Sequence, residues 1–254
     1  MLTDKESTPE STFDPVPEAK RLLRCSRVAT LATLAEPEGF PFASLVNVAT
    51  APDGSLILLL SRLAGHTRHL DADPRMSLLL YSAINRPSKG DPLAHSRLTI
   101  LGKAKRATDA IEEMLRTRFL ARHPKSSIYA DFVDFGFFHV TIEAAHLNGG
   151  FGRAANISAE KLLTPVGDAD DLTAEEPDLL AKITEKEPDF AHDLAQANGG
   201  ASEKAWRAVG FDPEGLDIGN EERLIRIPFA DRVTTEKELR TQIAALLAKA
   251  RKPS

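Results

Sequence analysis

The segment with the greatest chemical potential runs from Ser61 to Leu70 and reads SRLAGHTRHL. It leaves a predicted buried strand, turns through an Ala-Gly pair, and enters a short helix that ends before Asp73-Pro74. The free N–H groups and the positive dipole end of such a helix form a natural seat for a phosphate group. Hydroxyl donors and positive charges complete a seat of this kind. The side chains that supply them are Ser61, Arg62, His66, Thr67 and Arg68.

The same segment has two other interpretations. One is a solvated basic turn between two strands, because a ligand pocket depends on converging groups rather than on a short string. The other is a metal site, since His66 and His69 share one face of the predicted helix. Zinc sites use three or four protein ligands, and no third ligand lies nearby in the sequence. We therefore predict no metal site here.

A second candidate segment, NGGFGRA, begins at Asn148. Its glycines allow positive φ angles and close approach of the backbone to a flat ligand. Phe151 offers a ring for stacking, and Arg153 offers a forked donor for a carboxylate or a phosphate. The alternative is an ordinary glycine-rich turn, but the embedded Phe and Arg favour a ligand. His146 lies just upstream, either as a further candidate or as an ordinary strand residue.

The composition limits the class of protein. The chain has 254 residues, of which 42% are hydrophobic and 27% charged, so it can bury a substantial core. Its formal net charge of -5 argues against general attraction to nucleic acid or to an anionic membrane. No apolar run approaches the ~20 residues that a membrane-spanning helix needs. The only cysteine, Cys25, cannot form an internal disulfide, which favours a cytoplasmic location.

The hydrophobic pattern predicts a mainly β fold. Short apolar runs and turn residues place six strands over 28–34, 43–50, 55–61, 76–82, 97–107 and 137–147. Gly102 inside the fifth strand marks a bend or bulge. The run Leu78-Leu79-Leu80 suggests a strand that is buried on both faces. Hairpin connections without a βαβ rhythm favour a small closed or split barrel of six strands, of Greek-key type, with flanking helices.

The chain divides into four predicted regions. They are a disordered tail (1–15), the barrel (16–163), a linker (164–175) and a small α+β domain (176–254). Where the linker meets the last region, Thr173 and Glu176 predict a capping box at the start of a helix. Two strands are expected near Trp206–Asp217 and Leu224–Phe229, and a final helix runs from Thr234 or Thr235 to about Ala250.

Several segments resemble the FMN-binding split-barrel superfamily, of the pyridoxamine 5'-phosphate oxidase type. They are RVATLATL from Arg27, the run Pro41–Asn47, and HTRHL from His66 with DPRMSLL from Asp73. Two others, RLTILG from Arg97 and GGFGRA from Gly149, are similar to the heme-utilization branch of that superfamily. Residues 179–251 resemble the small α+β domain that commonly follows the barrel in that branch.

The resemblance implies a homodimer that binds FMN or a related flavin in a groove between two barrels, as an oxidoreductase. Ser61, Arg62, Thr67 and Arg68 would then contact the phosphate. The chain departs from the flavin pattern, because its second strand lacks the usual Arg and Gly65-His66 stands where an Arg-Lys pair is expected.

The resemblance also implies two alternatives to a flavoprotein. In a heme-binding or heme-degrading protein, Arg153 would hold a propionate, and His66, His69 or His146 would be the axial ligand. Relatives in this branch use a histidine near the chain end, whereas this sequence has none after His192. The third possibility is a cofactor-free regulatory module that binds another protein.

Overall fold

The computed structural model describes residues 14–81, 91–150, 153–201 and 205–252. Within these ranges, eight antiparallel strands form one curled sheet in the order β2-β1-β5-β6-β7-β4-β3, with β8 paired to β7. Their bounds are β1 Val28–Ala35, β2 Phe40–Asn47, β3 Ala49–Thr50, β4 Leu56–Ser61, β5 Arg75–Tyr81, β6 Arg97–Arg106, β7 Phe135–Asn148 and β8 Ala154–Ser158. This half-barrel confirms the predicted split-barrel fold.

Alternation of side chains gives the half-barrel one buried face. In β1, VATLATLA, the residues Ala29, Leu31 and Thr33 point inward while their neighbours are partly exposed. The predicted strand 43–50 is interrupted after Asn47, so that it forms both β2 and β3. The prediction that the Leu78-Leu80 run is buried on both faces is wrong. Leu79 points outward and is 37% exposed, because nothing among the described residues covers that side of the sheet.

The long strand β7 carries the predicted irregularity opposite Gly102. Leu101 pairs with Ala144 but Gly102 pairs with Ile142, which leaves Glu143 as an extra residue on β7. A Cβ atom on Gly102 would lie 2.2 Å from the Thr141 carbonyl oxygen. Only glycine fits this close approach, so the predicted bulge is confirmed.

Eight α-helices lie within the described ranges. Their bounds are α1 Pro15–Cys25, α2 Gly65–Ala72, α3 Asp109–Arg122, α4 Ala159–Leu162, α5 Asp170–Ala174, α6 Glu176–Lys186, α7 Phe190–Ala197 and α8 Glu236–Ala250. Asp14 caps α1 by accepting from the Val16 N–H, and Thr235 forms a capping box with Glu238 at the start of α8. No helix in these ranges is both long and apolar enough to cross a bilayer.

The region after the barrel contains a second, three-stranded antiparallel sheet. Its strands are β9 Arg207–Asp212, β10 Gly215–Gly219 and β11 Leu224–Pro228, in the order β11-β10-β9. The prediction of one strand over 206–217 is wrong, because Asp212 accepts from the Glu214 N–H and turns the chain. The segment predicted as a linker contains α5, and Leu172 within it is buried. The predicted tail 1–15 lies largely outside the described residues.

The predicted capping box at Thr173 is also wrong. The Thr173 hydroxyl donates to the Asp170 carbonyl, and Glu176 turns inward to a buried ion pair with Arg118 at 2.5 Å. Glu176 is therefore committed to the contact between α6 and the barrel helix α3. A local pattern cannot reveal such a partner, because it lies 58 residues away.

Arg118 belongs to a buried charge cluster that joins the barrel to the second sheet. We define this cluster as three barrel arginines, their three carboxylate partners and the bridging Arg226. The ion pairs are Arg24–Asp212, Arg118–Glu176 and Arg122–Asp217, and Arg226 contacts both aspartates. Burial lowers the pKa of Arg122 to about 10. For Asp212, burial alone raises the pKa, but Arg24 and Arg226 hold it at about 2.

Candidate functional site

The predicted phosphate seat has the expected backbone. β4 ends at Ser61 and α2 begins at Gly65, so the chain turns directly into a helix N-terminus. The N-cap residue is Ala64, whose methyl group cannot accept a hydrogen bond from the first turn. Arg62 and Arg68 are both exposed. The turn therefore presents positive charge at an uncapped helix start.

Two of the predicted side chains are used differently. The Ser61 hydroxyl donates to Asp134 Oδ2 at 2.6 Å, and the Arg62 N–H donates to the Asp134 carbonyl at 2.7 Å. Ser61 thus holds the loop before β7, and the Asp134 carboxylate adds negative charge beside the seat. Thr67 is fully buried, and none of the described residues accepts from or donates to its hydroxyl. These contacts weigh against a phosphate site of the predicted composition.

His66 and His69 lie on α2, against the hairpin of β1 and β2. His69 Nδ1 is 3.0 Å from the Thr33 hydroxyl, and its ring meets Phe42 edge-on at a centroid distance of 5.1 Å. Burial, and then the nearby His69, lower the pKa of His66. Within the described ranges, no three His, Cys, Asp or Glu side chains are grouped to hold a metal ion.

The glycine-rich segment forms the turn between β7 and β8. The Gly149 N–H donates to the Arg153 carbonyl at 2.7 Å, and Gly150 has a φ of 104°, which favours glycine. Arg153 is exposed at this turn, whereas Phe151 lies outside the described residues. The bend that glycine permits is therefore confirmed.

The two predicted halves of the site lie far apart in one chain. Ser61 pairs with Phe135 at the beginning of β7, and the glycine-rich turn follows Asn148 at its end. A 14-residue strand rising ~3.3 Å per residue separates its ends by roughly 40 Å. One chain therefore does not bring Ser61–Arg68 and Gly149–Arg153 together.

His146 is an exposed imidazole on the outer face of β7. In the sheet register it lies between Thr99 of β6 and Asn156 of β8. Its Nδ1 is 2.8 Å from the side-chain oxygen of Asn156. Because an amide oxygen only accepts, this contact favours the tautomer with the proton on Nδ1 and a lone pair on Nε2. Such a nitrogen is a good ligand for iron.

The sheet around His146 presents an apolar surface, which we call the outer face. Its largest side chains are Leu45, Leu79 and Leu101, which are 70%, 37% and 48% exposed. Register places one row of residues across β2, β1, β5, β6 and β7 and a second row beside it. The rows are Leu45-Thr30-Leu79-Thr99-His146 and Ala43-Ala32-Ser77-Leu101-Ala144.

Basic residues lie at the border of the outer face. Arg97 pairs in the sheet with Asn148, one row beyond His146, and donates to the Leu93 carbonyl at 3.1 Å. Arg153 follows in the turn between β7 and β8. The outer face thus combines an exposed apolar surface, an exposed imidazole and nearby cations. Strand alternation, which exposes every second residue of β5 and β6, was the signal that could have revealed it.

The fold is that of a split-barrel protein of the pyridoxamine 5'-phosphate oxidase-like type. The model of the CREG β-barrel family matches residues 14–164, and the chain belongs to that family. The resemblance to the split-barrel superfamily and its heme-utilization branch is confirmed.

Known relatives carry the same barrel. The chloroplastic heme oxygenase HOZ of Arabidopsis thaliana is 34% identical over 143 residues, 56% of this chain and 42% of that protein. The chain therefore spans less than half of that relative. A protein of unknown function from Agrobacterium tumefaciens superposes with a TM-score of 0.81, at 29% identity over 96% of this chain and all of the other. A heme binding protein from Mycobacterium smegmatis gives a TM-score of 0.54, at 26% identity over 95% and 99% of the two chains.

Proposed function

We propose that this protein binds heme on the outer face of its split barrel, with His146 as the iron ligand. The observation that carries the proposal is the exposed imidazole whose Nε2 is free while its Nδ1 is held by Asn156. The names of two relatives, a heme oxygenase and a heme binding protein, support the same cofactor.

The residues present fit a heme group. Leu79 and Leu101 expose apolar side chains on the same face as His146, and an exposed apolar surface of this kind is typical of a ligand or partner site. Burying that surface against a porphyrin is favourable at about 25 cal/mol per Å² of apolar area. Arg153 and Arg97 are the cations nearest in sequence and register, and a guanidinium suits a propionate carboxylate.

The chain's own residues would supply position and shielding. When bound, heme supplies the redox and oxygen chemistry of its iron. His146 would hold the iron, and Leu79 and Leu101 would shield the bound group from water. A second copy of the chain, placed over the outer face, would cover the other side. A homodimer is therefore part of the proposal.

A flavin is the second candidate cofactor. The observation that favours it is the uncapped N-terminus of α2, which Arg62 and Arg68 flank with exposed positive charge. There the helix start and both arginines would contact the flavin phosphate. The acidic side chain of Asp134 beside Ser61 is why we place the flavin second.

An absorption spectrum from 300 to 700 nm separates the two cofactors. We expect a sharp Soret band when heme is added to the wild-type protein. After FMN is added and the unbound FMN is removed by gel filtration, we expect no flavin absorption to remain with the protein. His146→Ala should lose the sharp band, whereas His192→Ala should keep it, because His192 lies on α7 and bonds to Gln196. A broad band like that of free heme in the wild-type protein would contradict the proposal.

A further inference from the structure

We infer that Asn156 is a positioning residue that holds His146 in the tautomer with a free Nε2. This inference deepens the proposed heme site and rests on it for its purpose. Asn156 lies on β8, directly opposite His146 in the antiparallel register. Its side-chain oxygen is 2.8 Å from Nδ1 of the imidazole.

The position of β8 explains why this contact can form. Side chains opposite each other in an antiparallel pair are separated by about 5 Å at Cβ, so an amide can reach an imidazole. The tight turn between Gly149 and Arg153 sets the register that places Asn156 there. Thr99 lies opposite His146 on the other side, but in the described sheet the ring bonds to Asn156.

The hydrogen bond has a chemical consequence. Free histidine in water favours the tautomer that carries its proton on Nε2, and that form cannot coordinate a metal through Nε2. An oxygen that accepts from Nδ1–H selects the opposite tautomer and fixes the plane of the ring. Asn156 therefore prepares His146 before any ligand arrives.

A purely structural role for Asn156 predicts something different. If the contact served folding alone, its loss would lower stability slightly, because an exposed side-chain hydrogen bond contributes little. The tautomer of His146 and any iron spectrum would then stay unchanged. A positioning role predicts a change in both. Two variants separate the roles, Asn156→Leu, which removes the acceptor, and Asn156→Asp, which retains one.

The first measurement needs no heme. Long-range ¹H–¹⁵N NMR correlations of the protein as purified report which ring nitrogen of His146 carries the proton. We expect Nδ1–H in the wild type and in Asn156→Asp, and a shift toward Nε2–H in Asn156→Leu. Thr99→Val is the matched control and should leave the tautomer unchanged. A wild-type Nε2–H form would overturn the inference, whether or not the protein binds heme.

The second measurement is a heme titration of the same variants. Loss of a hydrogen bond to a metal-binding histidine typically weakens metal affinity by about 10- to 100-fold, and we expect a loss in that range for Asn156→Leu. Asn156→Asp should keep the affinity and raise the iron–histidine stretching frequency of the ferrous form. Equal affinity and spectra in wild type and Asn156→Leu would overturn the positioning role. The NMR experiment could show the expected tautomers in all variants while the wild-type protein fails to bind heme. That result would overturn the proposed function but not the role of Asn156.

Discussion

The buried charge cluster makes the barrel and the second sheet depend on each other. Asp217 is 1% exposed and pairs with Arg122, which is fully buried, and with Arg226 at 3.1 Å. Asp217→Asn keeps the shape of the side chain but removes its charge. Arg122 is then left without its counter-ion in the interior. We therefore expect this substitution to destabilise the whole protein and not only the second sheet.

Removing one partner of a buried ion pair typically costs about 3–5 kcal/mol. The amide oxygen of an asparagine can still accept one hydrogen bond, so we expect the lower end, about 3 kcal/mol. With a denaturant slope of about 1–3 kcal/mol per molar urea, the unfolding midpoint should fall by at least ~1 M. Urea denaturation followed by circular dichroism and by Trp206 fluorescence measures this shift.

A matched control comes from an exposed ion pair. Glu221 lies 2.9 Å from Lys125, and both side chains are largely exposed. Glu221→Gln should leave the midpoint unchanged, because solvent screens such a pair. A shift for Asp217→Asn no larger than that of Glu221→Gln would refute the argument that burial makes this cluster essential.

Three further predictions follow from local geometry. Burial lowers the pKa of His123 to about 4, below the ordinary value of 6.5, so stability should be full above pH 6.5 and fall as the pH drops toward 4. His123→Gln should flatten that dependence in urea midpoints, and an unchanged slope would contradict it. Gly102→Ala should lower the melting temperature, because its Cβ would lie 2.2 Å from the Thr141 carbonyl oxygen, while Gly167→Ala, which meets nothing within 4 Å, should not. Leu79→Lys on the outer face should fold normally but weaken both heme binding and self-association measured by sedimentation. Unchanged heme affinity and unchanged sedimentation would show that this face takes part in neither.

Local patterns were enough to predict much of the barrel. Alternation in β1, the apolar run of β4 and the glycine in β6 are signals that neighbouring residues carry by themselves. The start of α8 was also predictable, because Thr235 and Glu238 satisfy each other within one helical turn. These elements depend on contacts close in sequence.

Contacts between residues far apart in sequence are what the local patterns could not show. The Ser61 hydroxyl bonds to Asp134, 73 residues away, and no local string shows that partner. Thr67 was read as a ligand although it faces the core.

Local sequence was also not enough to single out the proposed iron ligand. His146 was one of three histidine candidates, and only the pairing of β7 with β8 distinguishes it, through Asn156. Residues Ser61, Arg62, Arg68 and Arg153 remain predicted contacts of a cofactor. The cytoplasmic location also stays a prediction.

The central claim is that Nε2 of His146 binds heme iron, and imidazole rescue tests it most directly. His146→Gly leaves a space at the ligand position, so heme added to this variant should lose the sharp Soret band of the wild type. Free imidazole in millimolar amounts should restore that band on protein separated from unbound heme, whereas His192→Gly should show the wild-type band without imidazole. A wild-type spectrum for His146→Gly without imidazole would contradict the account.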